Sequence, residues 1–153
     1  MTFERIDNLV TMEGFHFQAW DDRYSKGVWA ALGTSELEIV TVYDLSSAGD
    51  NDMSPAMDYV FSAGWLPYVT GRTLIEAMQK LEERLALLPT DQLCRNSDWA
   101  ALVRQAIEAL RNAESASSTY GDLQTQIPDD LPQTFDAARA VMQPVGKERG
   151  RIR

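Results

Sequence analysis

Residues 73–88, with the sequence TLIEAMQKLEERLALL, carry the clearest structural signal in this chain of 153 residues. Thr73 and Glu76 have the spacing of a capping box, in which a hydroxyl and a carboxylate satisfy the first amides of a helix. Apolar side chains then recur at spacings of four and three, which is typical of one buried helical face; they are Leu74, Met78, Leu81, Leu85 and Leu88. Pro89 ends the pattern, so the sequence predicts a helix over residues 73–88.

The residues before this helix predict a sheet. Phe15 and Phe17 flank His16, which is the alternation with a period of two that a strand requires. Segment 37–43 is the strongest strand candidate because of its β-branched residues, and since it is more apolar at its far end we expect it at the centre of the sheet. Short, turn-rich spacings favour an antiparallel meander within residues 14–63. Its four predicted strands cover residues 15–20, 27–33, 37–43 and 59–63, and residues 64–71 are predicted to form a connector.

A second helix is predicted over residues 97–113, with Asn96 or Ser97 as its cap and Trp99 on its apolar face. Strands first and helices after indicate one α+β domain over residues 1–113. We expect the helix of residues 73–88 to cover one face of the sheet, which leaves the other face wet and acidic. The rest of the chain is predicted to be an extended linker over 114–132, a short helix over 133–143 and a basic, flexible tail to residue 153.

Negative charge is concentrated at the start of the chain. Residues 1–63 hold eleven carboxylates against three bases, which leaves −8 of the net charge of −9 in this stretch. Such an asymmetry concerns partners rather than the fold. It predicts a basic protein surface as the partner and disfavours direct contact with nucleic acid or with an anionic membrane. The predicted partner-binding residues are six carboxylates and two tryptophans: Asp21, Asp22, Glu36, Glu38, Asp50, Asp52, Trp20 and Trp65.

The cysteine and histidine content argues against several chemistries. Cys94 is the single cysteine, so it cannot form an internal disulfide, and this favours a reducing, cytoplasmic location. His16 is the single histidine, so a zinc site would need carboxylates for most of its ligands. Asp50 and Asp52 resemble the start of a calcium loop, but Pro55 stands where that loop requires glycine. No stretch resembles a membrane span or a secretory signal. The sequence therefore predicts no cofactor, no metal and no catalytic residue.

Three classes of function remain open. The first is a non-catalytic binding module whose acidic sheet docks on a basic surface. Its sharpest form is a phage or mobile-element inhibitor of the anti-CRISPR or antirestriction type, which mimics nucleic acid in a host nucleic-acid-processing complex. The second is a structural or antitoxin-like protein that self-associates, for example as a homodimer. The third is a small enzyme or ligand-binding protein with a site at one end of the sheet, around His16, Tyr24, Asp50, Asp52 and Tyr68.

The junction before the helix of residues 73–88 resembles a known family. Residues 71–77, Gly-Arg-Thr-Leu-Ile-Glu-Ala, are similar to the Gly-x-Thr-x-x-Glu-Ala helix start of HicB-type antitoxins. The similarity covers under a tenth of the chain, and any strand-to-helix junction with a capping box would select the same residues. The C-terminal part shows no evident DNA-reading helix, so we assign the chain to no family.

Overall fold

The computed structural model describes residues 2–22, 27–47 and 55–116. Within these ranges the fold is α+β, as predicted, with a three-stranded antiparallel sheet. The elements in chain order are α1 (Glu4–Thr11), β1 (His16–Asp21), β2 (Val28–Gly33), α2 (Glu36–Ser47), α3 (Pro55–Ser62), β3 (Tyr68–Gly71), α4 (Leu74–Ala86) and α5 (Asp98–Ala116), with a 3-10 turn (Thr90–Gln92) before α5. The predicted helix of 133–143 and the basic tail lie outside the described residues, as does all of the predicted linker except its first three residues, which belong to α5.

Among the helices of the described ranges, none is both long and apolar enough to cross a lipid bilayer.

The sheet has the order β1-β2-β3, and both pairings are antiparallel. The predicted β1–β2 hairpin is confirmed, with His16 opposite Gly33 and Asp21 opposite Val28. The central strand is β2, whose residues Trp29 to Gly33 are all buried. Successive residues of a strand point to opposite faces, so both faces of β2 are covered. The predicted wet, acidic face of the sheet is therefore wrong.

Two of the four predicted strands are helices. Residues 37–43 lie in α2, and residues 59–62 lie in α3. In α2 the buried side chains Ile39, Val42 and Leu45 recur every three residues, so tertiary packing overrides the strand preference of its β-branched residues. In α3 the buried positions 56, 59 and 60, followed by residue 63, also have helical spacing.

Two elements were not predicted. Residues 68–71, predicted as a connector, form the edge strand β3. Residues 4–11 form α1, whose first turn is held by a distant side chain: the Glu82 carboxylate accepts hydrogen bonds from the Arg5 and Ile6 amides at 3.1 and 3.2 Å. Because Glu82 belongs to α4, the start of α1 depends on a contact that no local pattern could reveal.

The sheet lies between two helical layers. On one side α4 approaches so closely that a Cβ atom at Gly71 would lie 2.5 Å from the Ala77 amide nitrogen. On the other side Trp29 contacts Phe61 of α3, while its neighbour Trp20 contacts Tyr43 of α2. Trp20 and Trp29 are cross-strand partners, and Gly71 belongs to the alternate set of positions, so these are opposite faces of the sheet.

The two longer predicted helices agree well with α4 and α5. Thr73 caps α4 by accepting a hydrogen bond from the Glu76 amide at 3.1 Å, and Ser97 does the same for the Ala100 amide at 3.0 Å. The inward stripe of α4 is rotated slightly from the prediction, since Leu74 is exposed and Ala77 is buried. Trp99 is fully buried, as predicted, and stacks on Phe15 with ring centroids 5.9 Å apart.

Candidate functional site

Helix α2 begins with a buried capping network. The Glu38 carboxylate accepts hydrogen bonds from the Thr34 amide at 3.1 Å, from the Thr34 hydroxyl and from the Ser35 hydroxyl at 3.3 Å. These donors lie just before or at the first turn, so the carboxylate fixes the junction between β2 and α2. Glu38 is therefore a structural group of the helix start.

The opposite side of α2 is exposed although it is mostly apolar. Leu37, Val40 and Tyr43 have 54, 40 and 41% of their surface exposed. At 3.6 residues per turn these side chains share one stripe with two exposed carboxylates. We call this stripe the outer face of α2; it consists of Glu36, Leu37, Val40, Tyr43 and Asp44. The helix is thus apolar on both sides, whereas a surface helix is normally apolar on one side only.

Aromatic contacts connect this outer face to the sheet. Tyr43 meets Trp20 edge-on with ring centroids 5.4 Å apart, and Trp20 stacks on Trp29 at 5.8 Å. The Trp20 indole donates a hydrogen bond to the Ser46 hydroxyl at 3.2 Å. Trp20 is only half-buried, so it extends the apolar surface from α2 onto the edge of β1. Rigid aromatic side chains held in this way are the groups that most often anchor protein partners.

The charges around the outer face are negative. The sequence of α2 contains no lysine or arginine, and Glu36 and Asp44 lie about 12 Å apart along the helix. The Trp20 indole contacts Ser46, near the C-terminal end of α2. Asp21 is next to Trp20 in the sequence and Asp44 is two residues before Ser46, so both carboxylates lie toward the same end of this surface. The surface therefore combines an apolar centre with carboxylates at its margins.

The predicted partner-binding residues differ in how far their side chains are exposed. Asp21 and Glu36 are exposed, and Trp20 is half-buried. Glu38 and Trp65 are only 4 and 7% exposed, so neither can contact a partner in this fold. Asp22 is half-buried and accepts a hydrogen bond from the Trp29 indole at 3.3 Å. Asp50 and Asp52 lie outside the described residues.

The exposed carboxylates of the described ranges do not form one cluster. The β1–β2 register places Asp21 at one end of the sheet, and Glu36 follows the strand end at the other. Five residues of strand separate these ends by about 17 Å. Glu4 and Asp7 lie on α1, which packs against α4 in the other helical layer. Of the described carboxylates, Glu36 and Asp44 belong to the outer face of α2 and Asp21 lies toward one end of it, whereas Glu4 and Asp7 lie away from it.

The alternative site around His16 is not assembled by the described residues. His16 is exposed on β1, whereas Tyr68 is buried on β3, so two strand spacings of about 4.8 Å separate their backbones. Burial, and secondarily the nearby Glu38 charge, raises the pKa of Tyr68 well above its usual value, so its hydroxyl stays protonated. Tyr24, Asp50 and Asp52 lie outside the described residues.

Among the described residues, no group of three or more histidine, cysteine, aspartate or glutamate side chains is placed to hold a metal ion.

Sequence reasoning missed four members of the outer face: Leu37, Val40, Tyr43 and Asp44. Two signals could have indicated them. Ser35 and Glu38 have capping-box spacing, which predicts a helix start at this point. Once α2 is a helix, its apolar residues are too many for one face, so some of them must be exposed or covered by another chain segment.

Comparisons of the chain with protein-family models, with curated proteins and with solved structures found no match.

Proposed function

We propose that the protein is a non-catalytic binding module that docks on a basic protein surface through the outer face of α2. The observation that carries this proposal is that Leu37, Val40 and Tyr43 are exposed side by side between two carboxylates. Single exposed apolar residues are ordinary, but contiguous apolar patches on a surface mark sites of interaction. The apolar centre supplies binding energy, and the acidic margin selects a partner of opposite charge.

The two parts of the surface act at different stages of binding. Carboxylates at the margin accelerate encounter with a cationic partner and orient it, and this effect weakens as salt screens the charges. Apolar side chains at the centre lose contact with water in the complex and therefore lower the dissociation rate. Trp20 and Tyr43 suit this second role because their contact already limits the entropy lost on binding.

The proposed partner is a nucleic-acid-processing complex. Its basic channels carry the positive charge that the acidic surface requires, and the protein would occupy such a channel in place of phosphate. In this form the protein is a cytoplasmic inhibitor from a phage or mobile element, of the anti-CRISPR or antirestriction type. The support for this identity is the sign of the charge on the outer face, together with the absence of bases in α2.

Affinity capture from the source cell tests the proposal. The captured partner should be basic, and its binding should weaken between about 50 and about 300 mM salt. A Glu36→Lys/Asp44→Lys variant should bind more slowly, and a Leu37→Ser/Val40→Ser/Tyr43→Ser variant should dissociate faster. Double-stranded nucleic acid should displace the protein from the partner if the channel is the site.

The matched control lies on α4. Leu74 and Ile75 are about as exposed as the apolar residues of α2, so a Leu74→Ser/Ile75→Ser variant removes similar apolar surface elsewhere. This control should bind like the unmodified protein. If the α2 variants bind normally, or if the α4 control loses as much affinity as they do, the proposed docking surface is wrong.

A second candidate function is self-association through the edge of β1. No strand of the described ranges pairs with the outer side of β1. The Asp22 amide donates to the Gly27 carbonyl at 2.9 Å, so ladder alternation directs the backbone groups of Phe17, Ala19 and Asp21 outward. Two such edges could pair as an antiparallel homodimer. Light scattering at increasing concentration distinguishes this from a monomer, and Ala19→Pro should abolish the dimer.

A further inference from the structure

A groove opens on the side of the molecule opposite to β1. It lies between α3, β3 and α4 and has a volume of about 490 Å³. Volumes of this order are usual for small-molecule sites. Its apolar lining includes Phe61 and Leu87, which are exposed, and Trp29, which is buried and contacts Phe61.

A fixed guanidinium lies in this groove. Arg84 is half-buried, and its Nη1 atom donates to the Leu66 and Tyr68 carbonyls at 2.7 and 3.1 Å. Within the described ranges, no carboxylate lies within ion-pair distance of Arg84, whereas Arg5 and Arg72 each have such a partner. Burial accordingly lowers the pKa of Arg84 without a compensating negative charge. A desolvated cation without a counter-ion is unusual in a chain with net charge −9 and favours an anionic ligand.

The same contacts argue against a peptide strand in the groove. The Leu32 amide donates to the Pro67 carbonyl at 3.0 Å, so the carbonyls of the neighbouring residues, Leu66 and Tyr68, point away from β2. Arg84 already occupies both of these carbonyls. A side-chain charge placed on an edge in this way blocks the addition of another strand. The groove therefore suits a small molecule better than an extended peptide.

We propose that this groove binds a small apolar carboxylate, which places its charge on Arg84 and its hydrocarbon body against Phe61, Leu87 and Trp29. The guanidinium fork matches a carboxylate, and Nη1 is already held in position by the backbone. Of the two lining bases, Lys80 is ion-paired with Glu76 at 3.9 Å, so within the described ranges Arg84 is the lining base without such a partner, and one free cation suits a monoanion better than a doubly charged phosphate. The proposal does not rest on the docking surface on α2, although Trp29 of the groove stacks on Trp20 of that surface.

Octanoate and octan-1-ol are suitable probes because they differ in charge but share the hydrocarbon chain. Titration followed by amide and indole NMR shifts should place both on the groove, with shifts centred on Phe61, Leu87 and the Trp29 indole. Octanoate should bind at least about tenfold more tightly than the alcohol. Its affinity should fall as salt rises from about 50 to about 300 mM, whereas that of octan-1-ol should not.

Variants separate the two halves of the site. Arg84→Met should weaken octanoate by about tenfold and leave octan-1-ol unchanged, whereas Phe61→Ser should weaken both probes. Arg104→Met, which removes an exposed arginine of α5, should leave both affinities unchanged. If Arg84→Met fails to fold because the Leu66 and Tyr68 carbonyls lose their donor, the salt dependence of octanoate binding to the unmodified protein still tests the proposal. No octanoate shifts at about 10 mM, shifts centred outside the groove, or equal affinity for both probes would overturn the proposal.

Discussion

Helices α2 and α4 cover opposite faces of the same sheet, but they are built differently. In α4 the buried residues form one stripe, and the middle of the opposite side is charged, with Lys80 and Glu83. In α2 the buried stripe has an apolar counterpart on the outside, where Leu37, Val40 and Tyr43 are exposed. Packing within the chain accounts for the composition of α4 apart from Leu74 and Ile75 at its start, but for only half of that of α2. The excess apolar surface of α2 therefore indicates a second role.

The comparison also shows where sequence reasoning is reliable. A helix that buries one face has a clear period, and α4 was predicted from that period and from its cap. A helix that is apolar on two sides loses this period, so in α2 the β-branched residues are the strongest local signal and predict a strand. Local patterns tend to fail where a segment also serves function. Here the misassigned element carries the candidate docking surface.

The largest expected effect tests the orientation of α2. Ile39→Ala should destabilise the protein by about 3 kcal/mol because its side chain is fully buried. Leu37→Ala should change stability by less than about 0.5 kcal/mol because its side chain is exposed. Urea unfolding measures both. In a strand, residues 37 and 39 would share a face. Equal losses of stability in the two variants would therefore indicate a strand and contradict the assignment of an outer face of α2.

The next effect concerns the inner side of α4. Glu82→Ala should cost about 2 kcal/mol of unfolding free energy, because two amides of α1 and the Arg5 guanidinium lose their acceptor. Glu83→Ala is the matched control. The carboxylate of Glu83 is exposed, so this substitution should have little effect on stability. Thermal unfolding compares the two variants. Similar melting temperatures would mean that Glu82 does not hold α1 to α4.

A smaller effect separates two carboxylates at the start of α2. Glu38→Ala should cost about 1.5 kcal/mol because the Thr34 amide and two hydroxyls lose their acceptor. Glu36→Ala should leave stability unchanged within about 0.5 kcal/mol, since its side chain is exposed. Its effect should appear in the association rate with the partner instead. A stability loss at Glu36 equal to that at Glu38 would contradict the division between cap and docking group.

The smallest effect is a pH dependence at the start of α4. Hydrogen bonds from the Arg72 amide and guanidinium, at 2.7 and 3.1 Å, lower the pKa of Glu76. The stability gained from this carboxylate is therefore present above about pH 4.3, its ordinary pKa, and is lost as pH falls through the lowered value. The difference in melting temperature between the unmodified protein and the Glu76→Gln variant should therefore become smaller as the pH falls through this window. In an Arg72→Met background the guanidinium is lost but the amide still donates, so the pH dependence should become smaller and persist; an unchanged pH dependence there would exclude the Arg72 guanidinium as a contributor.

The sequence carries enough local information for some elements and too little for others. The β1–β2 hairpin and the caps at Thr73 and Ser97 depend on neighbouring residues, so they could be predicted. Helix α1 depends on Glu82, more than seventy residues away, and the short strand β3 depends on pairing with β2. The candidate surface was predicted only in part, at Glu36, Asp21 and Trp20. Its apolar centre becomes visible only when α2 is placed as a helix with one side against the sheet.

Hydrogen–deuterium exchange of the complex with the captured basic partner tests the docking surface most directly. We expect slower exchange in peptides that cover residues 36–47 and 16–21 when the partner is bound, with no change over residues 74–86 of α4. Protection confined to α4, or no change over α2 at saturating partner, would contradict the assignment of its outer face as the docking surface.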